Sequence, residues 1–475
     1  MNVLFTHSYF LHFDQKQWEQ SKPYPPLATI QAASLLRKNG FDVSLFDTNF
    51  RRSASEIIPE LDRQQPDVLV IYDDGFNYLT KMCLTKMREA AYEMIAFAKE
   101  RNIHVIVSSS DSTDHFESYL SRGADEVLLG EADQTLLELI QCIQTNGDVA
   151  SVNGLAYSND SKSERTPPRK VMVHLDELPL PAWDLIQIED YQNAWSQHGY
   201  FSINLATTRG CPYKCNWCAK PIYGNRYNSR SPEHVVSEIK LIHTFFQFDH
   251  IWFCDDIFGL KPNWVQEFNR LLKEENIELK YKIQSRADLL LKEDTITALA
   301  ESGCDEVWIG AESGSQKILD AMDKGTDVEQ IYESTRLMKE HGIKPCFFLQ
   351  FGYLGETMED IQLTLDMLFE LMPHDIGVSV SYPLPGTKFY DIVSSQLEEK
   401  ANWEDSDELL LMYKGTYSPA FYKKLHRFLH RRFRQKQLLQ KIKKGKLTNL
   451  PKFIYFVLAS NVSYFQMMRL KKRKN

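Results

Sequence analysis

Cysteine is scarce in this sequence. Only 8 of its 475 residues are cysteine, too few for a fold that is held together by disulfides. Hydrophobic residues make up 43% of the chain and charged residues 25%, and this balance excludes disordered, collagen-like and low-complexity proteins. Three cysteines, Cys211, Cys215 and Cys218, fall within a stretch of eight residues. Their clustering makes metal chemistry the first hypothesis, and the length suggests about three domains.

Long hydrophobic runs are missing too. The longest uncharged run in the last part of the chain covers residues 453–468, and its 16 residues include Ser, Asn and Gln. A membrane-spanning helix needs about 20 mainly apolar residues. The first residues, MNVLFTHSYF, show neither the basic region nor the long apolar region of a signal peptide. We therefore expect a cytoplasmic protein with reduced thiols.

Acidic residues are absent from the C-terminal part of the chain. Residues 409–475 hold 18 Lys or Arg and no Asp or Glu, whereas the rest holds 37 basic and 64 acidic residues. Residues 415–446 place aromatic and aliphatic side chains among the basic ones at helical spacing. Such helices could pack on the acidic body of the same chain, or they could contact an anionic membrane surface, with residues 453–468 in the bilayer interface. Nucleic acid is disfavoured because no RNA-binding module is recognisable.

Strand and helix patterns alternate in two parts of the chain, which predicts an α/β protein. Residues 1–150 predict a Rossmann-like, doubly wound parallel sheet. Residues 151–195 contain a polar stretch and several prolines, and they predict a linker. Residues 196–400 contain six apolar runs, each followed by a helical stretch, and they predict a partial (βα)6 barrel of the TIM type. Residues 401–475 predict a basic helical extension.

The ligand edge of the N-terminal sheet follows from its predicted topology. Doubly wound parallel sheets bind ligands in the crevice at the carboxyl ends of their strands. The loops that end the predicted strands are residues 6–10, 73–76 and 108–113. We therefore expect any ligand of this domain to contact these loops.

The three clustered cysteines form a CxxxCxxC motif within TTRGCPYKCNWCAK. The motif directly follows the apolar run 203–206, at the carboxyl end of the first barrel strand, where barrel active sites are built. Three thiolates on one loop can each hold one iron of a four-iron cluster, and the fourth iron then stays open for a ligand. A structural zinc site is the alternative, but zinc favours four closed ligands in two CxxC-like pairs. The other cysteines lie in helix or strand patterns.

These motifs resemble the radical SAM superfamily, specifically the group with an N-terminal cobalamin-binding domain, over about residues 1–400. The resemblance implies that Cys211, Cys215 and Cys218 hold a [4Fe–4S] cluster whose open iron binds S-adenosylmethionine (SAM). In that family an electron from the cluster cleaves SAM to methionine and a 5′-deoxyadenosyl radical. The resemblance also implies that Trp217 lies beside the adenine of SAM.

Further motifs fall where the family has them. IWFCDDIF resembles the second-strand signature and implies that Asp255 and Asp256 meet the SAM amino group, although a helix cap or a surface acid pair is the alternative. QSRADLL resembles the third-strand segment and makes Arg286 a candidate for the SAM carboxylate. WIGAESGSQKIL resembles the family's Gly-x-Glu-Ser-Gly-Ser run and places Glu312 near the ribose hydroxyls or the amino group. FGYLGET resembles the late glycine motif, which alone would be a weak signal.

Segments of the N-terminal part also resemble the cobalamin-binding domain of this family, among them PDVLVIY and GADEVLLGEADQTLLEL. The Asp-x-His-x-x-Gly motif is absent, so bound cobalamin would lack a lower histidine ligand of that kind. SSSDST stands where relatives often have a Gly-Gly-x-His-type loop, and a vestigial domain that binds no cobalamin stays an alternative. The lone histidines His7, His104 and His115 are expected to be structural.

The resemblance implies an enzyme that methylates, cyclises or rearranges an unactivated carbon of a small-molecule or lipid-like substrate. It also implies a reducing electron donor such as flavodoxin or ferredoxin. A cytoplasmic enzyme with peripheral contact to a membrane surface through the basic tail would fit the charge pattern. The alternative from another class is a non-catalytic binding protein, in which a cluster or zinc serves structure and the N-terminal domain senses a ligand.

Overall fold

A computed structural model describes residues 1–82, 84–160, 162–220, 222–397 and 402–471. Cys83, one of the cysteines outside the clustered motif, lies outside the described residues.

The first sheet has seven strands in the spatial order β2-β1-β3-β4-β5-β6-β7. The strands are β1 (Asn2–Thr6), β2 (Asp42–Phe46), β3 (Val68–Tyr72), β4 (His104–Ser108), β5 (Glu126–Leu128), β6 (Leu155–Asn159) and β7 (Lys162–Arg165). Strands β1 to β5 pair in parallel, and β6 and β7 extend one edge antiparallel. The predicted doubly wound parallel sheet is confirmed. The antiparallel extension comes from residues for which the sequence predicted a linker.

The second sheet has six strands in the order β15-β14-β13-β12-β11-β8, and it forms a curled half-barrel. Its strands are β8 (Ser202–Leu205), β11 (His250–Phe253), β12 (Tyr281–Ser285), β13 (Cys304–Glu312), β14 (Lys344–Phe351) and β15 (Asp375–Val380). A separate two-stranded ribbon consists of β9 (Thr208–Arg209) and β10 (Asn228–Ser229). The registers of β8 with β11 and of β13 through β15 are parallel. Because neighbours in the sheet are also neighbours in sequence, the topology is that of a barrel with six of its eight strands. The predicted partial barrel is confirmed.

Helices connect the strands. In the N-terminal part they are α1 (Gln15–Gln20), α2 (Leu27–Lys38), α3 (Ile58–Gln64), α4 (Tyr78–Lys81), α5 (Thr85–Lys99), α6 (Ser110–Asp114), α7 (Phe116–Ser121) and α8 (Asp133–Gln144). Along the rest of the chain they are α9 (Ile188–Trp195), α10 (Pro232–Phe245), α11 (Trp264–Glu274), α12 (Ala287–Leu290), α13 (Thr295–Glu301), α14 (Gln316–Ala321), α15 (Val328–Glu340), α16 (Met358–Leu371), α17 (Lys388–Val393), α18 (Pro419–Lys443) and α19 (Leu450–Lys471). The predicted C-terminal helical region is confirmed.

The chain divides into two compact units. The first comprises residues 1–212, 220–281 and 402–408, and the second comprises residues 213–219, 282–401 and 409–475. In the first unit, β3 reads VLVIY and is buried along its whole length. A central strand of a parallel sheet is covered on both faces, so a continuous run of apolar, mostly β-branched residues is what it requires.

In the second unit, α18 contributes an apolar stripe to the interior. Its buried side chains are Phe421, Tyr422, Leu425, Phe428, Leu429 and Phe433. On the same helix, Arg434 forms an ion pair of 2.9 Å with Asp375 at the start of β15. This is the packing of a basic helix on the chain's own acidic body, one of the alternatives for the tail. No helix among the described residues has the length and apolar character needed to cross a membrane.

Candidate active site

The chain enters the cysteine motif through a glycine that no other residue can replace without strain. Gly210 has a φ of +78°, in the left-handed region that favours glycine. A Cβ at this position would lie 2.5 Å from the carbonyl oxygen of Arg226. Both conditions fix the backbone between the short strand β9 and Cys211, the first of the three cysteines.

Asp255 holds the backbone that leads to the cysteine motif. One of its carboxylate oxygens accepts hydrogen bonds from the backbone N–H groups of Thr207, at 2.6 Å, and Thr208, at 2.9 Å. Burial raises the pKa of Asp255 to about 7, although these bonds act in the opposite direction. Its neighbour Asp256 is exposed and pairs with Lys81 at 2.6 Å. The contact of either acid with the SAM amino group stays a prediction.

Arg209 forms a buried charge cluster directly before the motif. Its guanidinium donates to Glu131 at 2.6 Å and to Asp133 at 2.7 Å, and it lies 5.2 Å from the centre of the Tyr223 ring. Burial opposes the charged form of Arg209, but the surrounding carboxylates raise its pKa above its ordinary value. Arg209 was not predicted as a site residue from the sequence. Its position two residues before Cys211 is the one sequence signal that could have indicated it.

Asn216 fixes the part of the motif that lies between Cys215 and Trp217. Its backbone N–H donates to the carbonyl of Met322 at 3.0 Å, and its side-chain amide donates to the carbonyl of Ala321 at 2.6 Å. The hydroxyl of Tyr353 donates to the side-chain oxygen of Asn216 at 2.7 Å. The loop that carries Cys215 and Cys218 is thus hydrogen-bonded to the end of α14 and to the late glycine motif. Asn216 was not predicted as a site residue, although it lies inside the motif.

Trp217 offers an indole N–H that no described residue accepts. Its Nε1 atom is shielded from solvent and has no hydrogen-bond partner in the described part of the protein. Buried donors in proteins are normally paired, so an orphaned one calls for an explanation such as a ligand. This environment fits a residue that faces a bound molecule, and the predicted contact with adenine stays a prediction.

Glu312 and Lys324 form a buried ion pair at the carboxyl end of β13. Glu312 has a φ of +53° at a break in the register of β13 with β14, an unfavourable conformation for a residue with a side chain. The Nζ atom of Lys324 lies 2.8 Å from the Glu312 carboxylate, and both residues are less than 10% exposed. A Cβ on Gly310 would lie 2.4 Å from that Nζ atom. Any side chain at position 310 would therefore collide with the Lys324 ammonium group.

Lys324 also interacts electrostatically with the second cysteine of the motif. Burial alone would lower the pKa of Lys324, but the charges of Glu312 and Cys215 raise it above its ordinary value. Lys324 was not predicted from the sequence, because nothing in DKGTD distinguishes it from a surface lysine.

Arg286, predicted to meet the SAM carboxylate, already has several partners within the second unit. Its guanidinium donates to the carbonyls of Lys324 and Gly325, both at 2.8 Å, and lies 3.7 Å from the centre of the Tyr213 ring. Arg286 therefore connects the segment that carries Lys324 with Tyr213, which lies within the cysteine motif. Its contact with SAM stays a prediction.

The late glycine motif has a buried acid at its centre. Gly352 has a φ of +84°, and its backbone N–H donates to Glu356 at 2.7 Å. The other carboxylate oxygen of Glu356 has no partner among the described residues. Burial raises the pKa of Glu356 to about 8, so the protonated form prevails at neutral pH.

The predicted ligand edge of the N-terminal sheet is rich in hydroxyl and carboxylate groups. Ser8 donates to Asp73 from its backbone N–H at 2.6 Å and from its hydroxyl at 2.8 Å. Asp111 forms an ion pair with Arg88. The hydroxyl oxygen of Ser110, at the start of α6, is buried without a partner in the described residues. An orphaned hydroxyl on this loop fits a polar ligand at the carboxyl end of β4.

His7 and His104 of the N-terminal part each contact a carboxylate. His7 is 2% exposed and lies 2.9 Å from Asp47. His104 lies 2.6 Å from Glu126 on the neighbouring strand β5. His115 is half-buried, and burial lowers its pKa. These contacts support the expectation of structural histidines.

The motif cysteines share their partial exposure with Cys142 and differ in exposure from three others. Cys211, Cys215 and Cys218 are partly exposed, whereas Cys254, Cys304 and Cys346 are buried. Within the part of the chain that the structure describes, no three His, Cys, Asp or Glu side chains are grouped so that they could hold a metal ion. In a cubane cluster each thiolate binds a separate iron, and the assignment of the three cysteines to such a cluster stays a prediction.

Comparison with known proteins identifies the part of the chain that carries the cysteine motif. Residues 205–368 match the family model of the Radical SAM superfamily. The chain is thus similar to radical SAM proteins over these residues. The predicted resemblance to radical SAM enzymes with an N-terminal cobalamin-binding domain is confirmed, and the relatives below extend it beyond these residues.

Two curated relatives are similar to this chain over most of its length. An uncharacterized methyltransferase of Pyrococcus horikoshii is 26% identical over 386 residues, which are 80% of this chain and 81% of the relative. The anaerobic magnesium-protoporphyrin IX monomethyl ester cyclase of Synechocystis sp. is 24% identical over 396 residues, 81% of this chain and 77% of the relative. Relatives that are methyltransferases and cyclases confirm the prediction of an enzyme of the cobalamin-dependent radical SAM type.

A solved structure shows the same fold. The radical S-adenosylmethionine methyltransferase TsrM from Kitasatospora setae, with cobalamin and a [4Fe–4S] cluster bound, superposes with a TM-score of 0.69. The match covers 83% of this chain and 75% of TsrM at 21% identity. TsrM thus binds two of the cofactors that are predicted for this chain, cobalamin and the iron–sulfur cluster.

Proposed function

We propose that this chain is a cobalamin-binding radical SAM enzyme whose [4Fe–4S] cluster is held by Cys211, Cys215 and Cys218. It methylates, cyclises or rearranges an unactivated carbon of a small-molecule or lipid-like substrate. The observation that carries the proposal is the CxxxCxxC loop, which Asn216 anchors and whose Cys215 interacts with the charge of buried Lys324. This loop lies within the residues that match the Radical SAM family.

The residues of the site have separable tasks in this proposal. When bound, the cluster supplies the electron that breaks a carbon–sulfur bond of SAM, and cobalamin supplies a methyl carrier. Lys324 offsets the negative charge of buried Glu312, which lowers the cost of burying that carboxylate, and it interacts electrostatically with Cys215. Trp217 presents its unpartnered N–H and its ring to the nucleoside part of SAM.

The N-terminal domain fits cobalamin through polar groups rather than through a histidine ligand. Ser110 contributes a buried hydroxyl without a partner among the described residues, and the loops at this edge carry further hydroxyl groups. His7 is engaged by Asp47, and the Asp-x-His-x-x-Gly motif is absent from the sequence. Ser110 and the neighbouring hydroxyl groups would thus hold cobalamin here, without a histidine of that motif.

The partners follow from the proposed chemistry. Reductive cleavage of SAM needs a low-potential electron donor, and flavodoxin or ferredoxin supplies such electrons. The relatives named as a methyltransferase and as a porphyrin ester cyclase support a small organic substrate, with methyl transfer and ring closure as the two candidate outcomes. A membrane surface is a separate partner, which the exposed face of α19 supports.

The test is anaerobic reconstitution of the full chain with iron and sulfide, followed by SAM and dithionite. We expect retained iron and sulfide, the visible absorption of an iron–sulfur cluster, and formation of 5′-deoxyadenosine. Cys215→Ala should abolish all three. The matched control is Cys142→Ala, since Cys142 is also partly exposed but lies outside the motif, and it should behave as the wild type.

The outcomes separate the alternatives. A chain that retains no iron contradicts the proposed enzyme and favours a binding protein. Radical formation by a chain that retains no hydroxocobalamin favours a radical SAM enzyme with a vestigial N-terminal domain. Retained cobalamin together with 5′-deoxyadenosine supports the full proposal.

A further inference from the structure

The last helix, α19, leaves much of its apolar surface exposed. Its buried positions are Ser460, Ser463 and Met467, so two of its three fully buried side chains are serines. A helix that only packs on its own protein buries its apolar face and exposes its polar face. Here the large apolar side chains are the exposed ones.

The contact of α19 with α18 includes side-chain hydrogen bonds beside an aromatic contact between Phe428 and Tyr464. Arg431 of α18 donates to the Ser463 hydroxyl at 2.7 Å, and the Ser460 hydroxyl donates to Gln435 of α18 at 3.0 Å. Hydrogen bonds to side chains on the inner face fix which side of α19 points inward. The outward side is therefore determined by the fold.

Five of the exposed apolar side chains of α19 form one continuous stripe. They are Leu450, Ile454, Leu458, Val462 and Phe465, each between 45% and 66% exposed. Steps of four, four, four and three residues keep them on one side of a helix with about 3.6 residues per turn. At about 1.5 Å per residue the stripe is about 22 Å long. Isolated exposed apolar residues are ordinary, but a contiguous stripe marks an interaction site.

Positive charge occurs at both ends of this stripe. Exposed basic side chains occur before α19, within its first turn and near its end, at Lys443, Lys444, Lys446, Lys452 and Arg469. Residues 409–475 contain no Asp or Glu, whereas the remainder of the chain is strongly acidic. An anionic surface would attract the tail and repel the body, which orients the stripe toward that surface.

We propose that the outward face of α19 binds an anionic phospholipid surface. The helix would lie in the plane of the interface, with the stripe among the acyl chains and the basic side chains at the head groups, as interfacial amphipathic helices do. This binding is independent of the proposed catalysis. The ligand class is a negatively charged bilayer surface, not a single lipid molecule.

The test is co-sedimentation of the full-length protein with vesicles. We expect binding to vesicles of phosphatidylcholine mixed with phosphatidylglycerol to be at least tenfold tighter than to phosphatidylcholine alone, and to weaken as salt screens the charges. The variant with Ile454→Ser, Leu458→Ser and Phe465→Ser should lose binding by tenfold or more. Lys443→Gln, Lys444→Gln and Lys446→Gln should each weaken it by about fivefold.

A matched control removes three exposed apolar side chains elsewhere, with Val173→Ser, Leu363→Ser and Ile392→Ser; these residues are 56%, 46% and 57% exposed. It should bind as the wild type does. Equal binding to both vesicle types, or equal binding by the stripe variant and this control, would overturn the proposal. Thermal unfolding followed by circular dichroism should be unchanged in the stripe variant, because its three positions are exposed.

A second copy of this chain is the competing occupant of the stripe. Light scattering after size-exclusion chromatography distinguishes it. A dimer that the stripe variant abolishes, without vesicle binding by the wild type, would assign the stripe to self-association and overturn the lipid proposal. A monomer that binds anionic vesicles supports it.

Discussion

Four buried ionisable side chains of the candidate site differ in how their charge is compensated. Lys324 and Glu312 neutralise each other in a salt bridge. Asp255 and Glu356 are also buried, and their hydrogen-bond partners are backbone N–H groups or hydroxyls rather than cations. A buried carboxyl group without a cation favours its neutral form, which explains why burial raises the pKa of Asp255 to about 7 and that of Glu356 to about 8.

The stability of the protein should depend on pH through Glu356. Its folded pKa of about 8 lies above the ordinary value of 4.5, so between these values the unfolded chain loses a proton that the folded chain keeps. Its contribution to the free energy of unfolding therefore falls as the pH rises from about 4.5 to about 8. Glu356→Gln should remove this dependence and stabilise the protein at pH 8 by a few kcal/mol, since one pKa unit corresponds to about 1.4 kcal/mol.

Chemical unfolding of both proteins at several pH values measures this difference. Glu359→Gln is the control, because Glu359 is exposed on the same segment, and it should leave the pH profile as it is. A Glu356→Gln profile parallel to the wild type would show that Glu356 is ionised in the folded chain.

At the scale of elements, the turn that joins β9 to the cysteine motif has little freedom. We predict that Gly210→Ala lowers the iron content of reconstituted protein severalfold, because the added Cβ would lie 2.5 Å from a backbone oxygen and the φ is +78°. Gly224→Ala is the control: its φ is +69° but no atom lies within 4 Å of the added Cβ. Gly224→Ala should therefore cost about 1 kcal/mol for placing alanine in the left-handed backbone region, but it causes no steric clash. Equal iron content in the two variants would contradict the prediction.

Arg209 links the same short strand to the start of α8, since it pairs with Glu131 and Asp133. Removing one partner of a buried ion pair leaves uncompensated charge and typically costs about 3–5 kcal/mol. We predict that Arg209→Met destabilises the protein by about that amount in urea unfolding. Adding Glu131→Gln and Asp133→Asn should restore part of the loss, because the remaining groups are then neutral.

Arg226→Met is the matched control for this prediction, since Arg226 is exposed on the nearby loop. It should change the unfolding free energy by less than about 0.5 kcal/mol. If Arg209→Met were equally mild, the cluster would contribute little to stability.

At the scale of the whole molecule, the two proposed cofactor sites lie in separate stretches of the sequence, so their occupancies should change independently. We predict that Ser110→Ala weakens cobalamin retention by about two- to tenfold, the loss expected for one hydrogen bond, and leaves the iron content unchanged. Cobalamin absorbance and iron assays on the same sample measure both. Ser118→Ala, at an exposed serine of α7, should change neither. A parallel loss of iron would mean that the substitution disturbs the fold instead of a ligand contact.

The sequence alone determined the fold class and the position of the cysteine motif. Alternation of strand and helix patterns is a local property of the chain, and so is the spacing of three cysteines after an apolar strand. Both could therefore be predicted without a structure. The antiparallel strands β6 and β7 could not, because β7 is exposed along its whole length and has no apolar alternation.

Only the tertiary structure decided which charges meet. Lys324 pairs with a glutamate 12 residues away, and Arg209 pairs with residues 76 and 78 positions away. No local pattern encodes such pairs, because they depend on which strand ends and helix starts become neighbours. The same holds for α19, whose composition does not say which face packs inward. Hydrogen bonds that join α18 to Ser460 and Ser463 turn the serines inward and leave the apolar stripe exposed.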